Sequence, residues 1–189
     1  HLCDRRQRQM CIRDRSKNLK TVGDSAFAGC SLITLDMPTT VTKWGENVFV
    51  DNQLEKITIS SAIKEIPQKM FTRCGFLKEV VIPDNIEKIG CSAFANCGRL
   101  EKITIGKNVK VIEAAAFNNT DLKELVIPAN VEKVETDAFS EIWYLGNVTI
   151  EGKTVIENGA FGSSSYPTLD YRAGAQYNKT SIKLRSVKK

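Results

Sequence analysis

Residues 74–96, CGFLKEVVIPDNIEKIGCSAFAN, contain the pattern that decides the fold. A strand-like run, L-x-x-V-x-I, is followed by two isoleucines three residues apart and then by an Ala-Phe pair. At Cys97 the sequence CGRL begins the same pattern again. A pattern that restarts after so short an interval indicates an internal repeat, which is the first feature to seek in a sequence.

The phenylalanines extend this repeat over most of the chain. Seven of the eight are spaced 22 or 23 residues apart, and only Phe76 lies outside the series. The seven in register are Phe27, Phe49, Phe71, Phe94, Phe117, Phe139 and Phe161. A segment of this length cannot bury its own apolar face, but copies stacked about 4.8 Å apart share a continuous core. The spacing therefore predicts a repeat solenoid of about seven rungs of 22–23 residues.

Each rung is predicted to have three parts. The L-x-x-I-x-I stretch alternates inward and outward residues and predicts the parallel strand of one continuous sheet. The second apolar stretch, such as Ile86 to Ile89, predicts a smaller strand. The segment around the Ala-Phe pair, as at residues 92–96, predicts one helical or 3₁₀ turn on the far side of the rung.

The full pattern, C-G-x-L-x-x-I-x-I-P-x-x-V/I-x-x-I-x-x-x-A-F, resembles the BspA-like leucine-rich repeat of bacterial surface proteins. The resemblance covers roughly Leu19 to Tyr177 and is closest in the rung from Cys74 to Phe94. It implies a cell-surface or secreted protein that binds other proteins, in some members host surface or matrix proteins. It also implies a C-terminal cap, because residues 170–177 are similar to the terminal segments of the family.

Three segments follow from this pattern. Residues 16–161 form the leucine-rich repeat array, and residues 162–189 form a terminal rung, a C-terminal cap and a basic tail. Residues 1–15 show neither helical nor strand periodicity, and QMCIRDR resembles translated sequencing-adaptor sequence, so we expect a non-native or disordered segment there. No signal peptide is visible, and we expect the native N-terminus to lie upstream.

The charge of the chain does not point to nucleic acid. The formal net charge is +5, but residues 1–15 contribute five arginines against Asp4 and Asp14, a net +3 of that total. The remainder forms no basic stripe with interleaved aromatic residues. No apolar run approaches the roughly 18 residues that a membrane span requires. We therefore expect no nucleic-acid partner and no membrane insertion within this chain.

Catalytic and metal-binding patterns are weak. The only histidine is His1, so neither a Ser-His-Asp nor a Cys-His pair can be assembled from the repeat array. No nucleotide-binding glycine pattern is present, and we expect no catalytic residues, no cofactor and no metal. Cys30, Cys74 and Cys97 each lie three residues after a rung phenylalanine, the slot that Asn52 takes in another rung. Buried, reduced thiols in a turn ladder are the favoured interpretation, although a Cys74–Cys97 disulfide is sterically conceivable.

The charged residues alternate in sign from rung to rung. Aligned strands place Glu79 between Lys56 and Lys102, and the second stretch places Glu87 between Lys64 and Lys110. Each charge then lies between opposite charges on the neighbouring rungs, which stabilises by about 0.2 to 1 kcal/mol per pair. Few carboxylates remain for acid–base chemistry, so a polysaccharide-active solenoid enzyme is a remote alternative.

The outward strand residues are the candidate protein-binding face, because a curved solenoid presents its sheet as an extended surface. These residues, called the outer face below, are Lys56, Thr58, Glu79, Val81, Lys102, Thr104, Glu124 and Val126. The sequence thus favours a non-catalytic protein–protein interaction or adhesion module of a cell-surface protein. The alternative is an architectural spacer without its own ligand.

Overall fold

A computed structural model describes residues 18–162, 168–171 and 176–177. The chain coils into a parallel β-solenoid, and each rung contributes two short strands. In chain order the strands are β1 (Thr21–Val22), β2 (Thr34–Asp36), β3 (Lys43–Trp44), β4 (Lys56–Thr58), β5 (Glu65–Ile66), β6 (Glu79–Val81), β7 (Lys88–Ile89), β8 (Lys102–Thr104), β9 (Val111–Ile112), β10 (Glu124–Ile127), β11 (Lys133–Val134), β12 (Asn147–Ile150), β13 (Val155–Ile156), β14 (Thr168–Tyr171) and β15 (Gln176–Tyr177). The predicted repeat solenoid is confirmed.

The longer sheet is built from the second, shorter strands of the rungs. These form a six-stranded sheet in the order β15-β13-β11-β9-β7-β5, and β1 pairs with β3. The L-x-x-I-x-I strands instead form three separate ladders, β2-β4, β6-β8 and β10-β12-β14, rather than the one continuous sheet that we predicted. Across one interruption the rungs stay linked, because the Lys123 N–H donates to Glu101 O at 3.2 Å.

The core consists of ladders of equivalent apolar side chains. Consecutive phenylalanines of the series stack with ring centroids 5.2 to 5.7 Å apart and interplanar angles of 2 to 15°. The rings from Phe49 to Phe139 are fully buried. Each ring therefore covers the next, and the apolar face that one rung cannot bury alone is buried by its neighbours.

The segment around each Ala-Phe pair is a turn, and no helix or 3₁₀-helix occurs among the described residues. In the central rung Ser92 and Asn96 have positive φ angles of 54° and 60°. Between them the Phe94 N–H donates to Ala116 O of the following rung at 2.8 Å. A helix directs every N–H back along its own chain, whereas here alternate N–H groups point along the rod. The predicted helical or 3₁₀ turn was wrong, because every second N–H of the turn donates to the next rung, while the others, such as Ala95 N–H to Ser92 O at 3.1 Å, donate within the turn.

The last rung of the phenylalanine series is shortened. Ile150 and Ile156 are six residues apart, whereas Ile127 and Val134, the equivalent pair one rung earlier, are seven apart. Thr154 fills the core slot there, and its buried hydroxyl donates to a carbonyl of the preceding rung at 2.7 Å. Strands β14 and β15 then pair with β12 and β13. The segment at residues 1–15 and the remainder of the predicted cap and tail lie outside the described residues.

Within the described part of the chain, no helix has the length and apolar character needed to cross a membrane.

Replacing Phe94 by alanine is expected to lower the free energy of unfolding by about 3 to 5 kcal/mol, because a fully buried ring is lost from the stack. Chemical denaturation followed by circular dichroism measures this loss. Phe76→Ala is the matched control, since that ring is 41% exposed and lies outside the stack. Its removal should cost less than about 1 kcal/mol. Equal losses in the two variants would contradict a core that depends on the phenylalanine ladder.

The turn geometry predicts opposite effects of glycine at two neighbouring alanines. Ala115 has a φ of 54°, a left-handed conformation that costs residues with a Cβ atom about 1 kcal/mol or more. We expect Ala115→Gly to raise the free energy of unfolding by about 0.5 to 1 kcal/mol. Ala114→Gly should lower it by a similar amount, because Ala114 is outside the left-handed region. Thermal and urea denaturation of both variants test this, and destabilisation by both would contradict the turn.

Candidate functional site

All eight residues of the outer face are solvent-exposed. They lie on β4, β6, β8 and β10, where buried residues such as Val80, Ile103 and Leu125 point into the core between them. Glu79 is in register with Lys102, and Val81 with Thr104. The fold thus brings the eight residues into two adjacent columns that run along the rod.

The charged column of the outer face is internally paired at its centre. Lys102 Nζ lies 2.7 Å from Glu79 Oε1, and on the next stretch Lys64 Nζ lies 3.4 Å from Glu87 Oε1. At each position one of the two predicted lysine partners is in contact with the glutamate. All four side chains are about half exposed or more. Ion pairs this exposed contribute only about 0.2 to 1 kcal/mol each to the stability of the fold.

The other column of the outer face carries two exposed valines between threonines. Val81 is 57% exposed and Val126 is 49% exposed. At the N-terminal end of the column the Thr58 hydroxyl donates to Asp36 Oδ1 at 2.7 Å. A single exposed apolar side chain on a protein surface is ordinary. Two in one column offer apolar contact area to a partner.

A glutamate ladder that the sequence analysis did not identify lies beside the short strands. Glu113, Glu135 and Glu157 each directly follow a buried Ile or Val, and this recurrence was the available signal. Each accepts a hydrogen bond from a turn N–H of the preceding rung, at 2.9 to 3.1 Å. Lys88 pairs with Glu113, and Lys133 bridges Glu135 and Glu157 at 3.0 and 2.8 Å. The three carboxylates therefore have a structural task.

Glu157, the last glutamate of the ladder, has the wrong electrostatics for general acid catalysis. The hydrogen bond from Lys133 lowers the pKa of Glu157 below its ordinary value, with further lowering by the N–H and hydroxyl of Thr136. A glycosidase acid requires a raised pKa so that it holds a proton near neutral pH. The contacts of this glutamate support a turn-capping role.

The four cysteines of the described residues are free thiols. Cys74 and Cys97 are fully buried, and each Sγ donates to a carbonyl oxygen of the preceding rung at 3.3 Å. Asn52 performs the same task in its rung, donating to Phe27 O at 2.8 Å. Burial raises the pKa of the Cys74 thiol to about 12 and that of Cys97 well above its ordinary value. Cys74 and Cys97 thus occupy the predicted buried turn positions, whereas Cys30, the first of the three predicted thiols, is only half-buried.

No group of three or more His, Cys, Asp or Glu side chains in the described ranges is placed to hold a metal ion. A polar cleft of about 540 Å³ opens beside the shortened rung, where Asn130 and Glu132 face Lys153. Its lining combines both charge signs, because Glu87 and Lys110 line it as well. The cleft therefore presents no dominant charge to a ligand.

Aromatic side chains missed by the sequence analysis occupy the corner where the turn enters the strand. Tyr144 is 71% exposed and Trp143 is 62% exposed. Lys123 Nζ lies 4.8 Å from the centroid of the Tyr144 ring, and Arg99 Cζ lies 4.9 Å from that of Phe76. These five residues are called the aromatic corner below. The available signal was Trp143, which stands where two equivalent turns have glycine.

Thiol labelling of the folded protein should separate two classes of cysteine. Cys30 and Cys91 are partly exposed, so iodoacetamide should modify them readily, whereas Cys74 and Cys97 should stay protected because burial disfavours their thiolates. Peptide mapping by mass spectrometry measures each site, and labelling in denaturant is the control. Rapid labelling of Cys74 without denaturant would contradict the buried ladder.

Several solved structures share this fold, among them two leucine-rich repeat proteins. A leucine-rich repeat protein from Bacteroides ovatus matches with a TM-score of 0.62 and 21% identity, over 82% of this chain and 49% of its own. The T. pallidum leucine-rich repeat protein matches with a TM-score of 0.63 and 24% identity, over 82% of this chain and 66% of its own. The pneumococcal vaccine antigen PcpA has a TM-score of 0.54 and 21% identity, over 82% of this chain and 49% of its own.

The chain thus spans about half to two thirds of the length of these proteins. No curated protein sequence matches it. The sequence model of the BspA type leucine-rich repeat region matches residues 13–123 and 110–182, in six copies. These ranges cover most of the chain and include every rung of the phenylalanine series. The chain belongs to the BspA type leucine-rich repeat family.

Proposed function

We propose that this chain is a non-catalytic protein–protein interaction or adhesion module of a cell-surface protein. The observation that carries the proposal is the outer face, where Val81 and Val126 remain 57% and 49% exposed in one column of the repeat. The inward residues of the same strands are buried, so the fold has no use for apolar side chains at these two positions. Extended, regular surfaces of this kind are how solenoids contact partners.

The family supports a surface location. One solved structure with this fold is a leucine-rich cell surface protein from Faecalibacterium prausnitzii, which matches with a TM-score of 0.52 over 84% of this chain. The pneumococcal protein of the same fold is a vaccine antigen. A protein ligand on a host surface or in the host matrix fits such a location.

The absence of enzymatic activity is also part of the proposal. Glu113, Glu135 and Glu157 bind turn N–H groups and lysines, and the pKa of Glu157 is lowered rather than raised. Glu79 on the outer face is paired with Lys102. These contacts support a structural use of the carboxylates over polysaccharide hydrolysis.

The test measures binding of the full chain to a panel of purified extracellular-matrix proteins by surface plasmon resonance. The double variant Val81→Glu/Val126→Glu should weaken any binding at least about tenfold, because two carboxylates would have to lose water in an apolar contact. Val155→Glu is the matched control, since Val155 is 52% exposed on the sheet of the short strands.

Unchanged affinity in the double variant, with unchanged thermal stability, would contradict the outer face as the binding surface. Failure of the wild-type chain to bind any protein of the panel would favour the architectural spacer. The chain could also release reducing sugar from a polysaccharide panel and lose that activity when a carboxylate is substituted. This result would overturn the proposal that the chain is non-catalytic.

A further inference from the structure

The aromatic corner has features that the fold itself does not require. Gly75 and Gly98 occupy the position of Trp143 in two equivalent turns. A Cβ atom added at either glycine would meet no atom within 4 Å. A side chain at this position therefore extends into open space, and the indole of Trp143 is accordingly 62% exposed. The repeat folds with glycine at this position, so tryptophan there serves no packing purpose.

The neighbouring ring is held in place while its surface stays open. Lys123 Nζ lies 4.8 Å from the Tyr144 ring centroid and 2.7 Å from Asp121 Oδ1. Such cation–π contacts restrict the ring without covering both of its faces. Tyr144 is still 71% exposed. Two adjacent aromatic side chains, one of them restrained, form a patch of the residue types that dominate protein-binding hot spots.

Arg99 supplies a charge that no carboxylate of the described residues meets. Its guanidinium lies over the Phe76 ring, 4.9 Å from the ring centroid. Stacking on a ring leaves the edge of the guanidinium, with its fork of N–H donors, available for a bidentate contact with a carboxylate. Lys102 and Lys123, by contrast, already pair with Glu79 and Asp121.

The distance between Arg99 and Tyr144 follows from the repeat. Arg99 and Tyr144 each directly precede the first leucine of a strand pattern, two rungs apart. With rungs about 4.8 Å apart, the two positions are separated by about 10 Å along the rod, which three residues of an extended chain span. The corner also adjoins the outer face, because Lys123 directly precedes Glu124.

We propose that the aromatic corner anchors an extended segment of a partner protein that places a carboxylate on Arg99 and an aromatic or large aliphatic side chain against Trp143 and Tyr144. The inference rests on the proposed protein-binding function and names the chemistry of the partner. Charge complementarity at Arg99 favours an acidic peptide over a neutral glycan, which would use the rings but leave the guanidinium without a carboxylate.

The experiment selects a phage-displayed library of random twelve-residue peptides on the immobilised full chain. Enriched peptides should carry Asp or Glu about three residues from an aromatic or large aliphatic residue. A labelled synthetic copy of the enriched peptide is then titrated by fluorescence anisotropy. Tyr144→Ala and Arg99→Gln should each weaken its binding at least about tenfold. Trp143→Gly, which restores the residue of the equivalent turns, should weaken binding without changing the thermal unfolding midpoint.

The outcomes separate the aromatic corner as a peptide anchor from the outer face as a protein-binding surface. Peptides whose binding survives the corner variants but is lost in Val81→Glu/Val126→Glu would overturn the corner and leave the outer face as the binding surface. Binding of a neutral oligosaccharide array that is lost in Tyr144→Ala, with no acidic peptide enriched, would overturn the protein partner. Enrichment of no peptide at all would overturn the corner as a peptide anchor, and Val155→Ala serves as the control for exposed apolar surface.

Discussion

Contact between neighbouring rungs is the interaction on which the rest of this protein depends. A single rung of 22 or 23 residues leaves its apolar face open on two sides. The stacked phenylalanines, with centroids about 5 Å apart, close that face rung by rung. Backbone N–H groups of the turns reinforce the same contact, as in the 2.8 Å bond from Phe94 to Ala116 O. Stability is therefore a sum of nearest-neighbour terms rather than the property of one central core.

This rung-to-rung dependence explains several polar residues that might otherwise suggest chemistry. The buried thiols of Cys74 and Cys97 and the amide of Asn52 satisfy carbonyls that the turns leave open. The glutamates at 113 and 135 accept turn N–H groups in the same way. A polar group buried without a partner is costly, and each of these side chains satisfies a backbone group that a turn leaves open.

Regular repetition also makes exceptions informative. A residue that differs from its equivalents without a packing reason points to a task outside the fold. Gly152 has a packing reason, because a Cβ atom there would collide with Ala129 O of the preceding rung. Trp143 has no packing reason to differ from its equivalents Gly75 and Gly98, because a side chain at those positions faces open space. Val81 and Val126, exposed on the outer face, belong to the same class.

The sequence by itself determined the solenoid, the rung length, the phenylalanine ladder and the thiol ladder, because each depends on the spacing of equivalent residues along the chain. The residues of the outer face lie on the exposed side of the strands, since side chains alternate strictly in a strand. Only the tertiary structure decided the turn conformation. Ser92 and Asn96 adopt positive φ while their own N–H groups donate to Ala114 O and Asn118 O of the next rung, a constraint that local propensity cannot reveal. Likewise, the aromatic corner exists only because stacking brings Lys123 over Tyr144 and Arg99 over Phe76 from adjacent rungs.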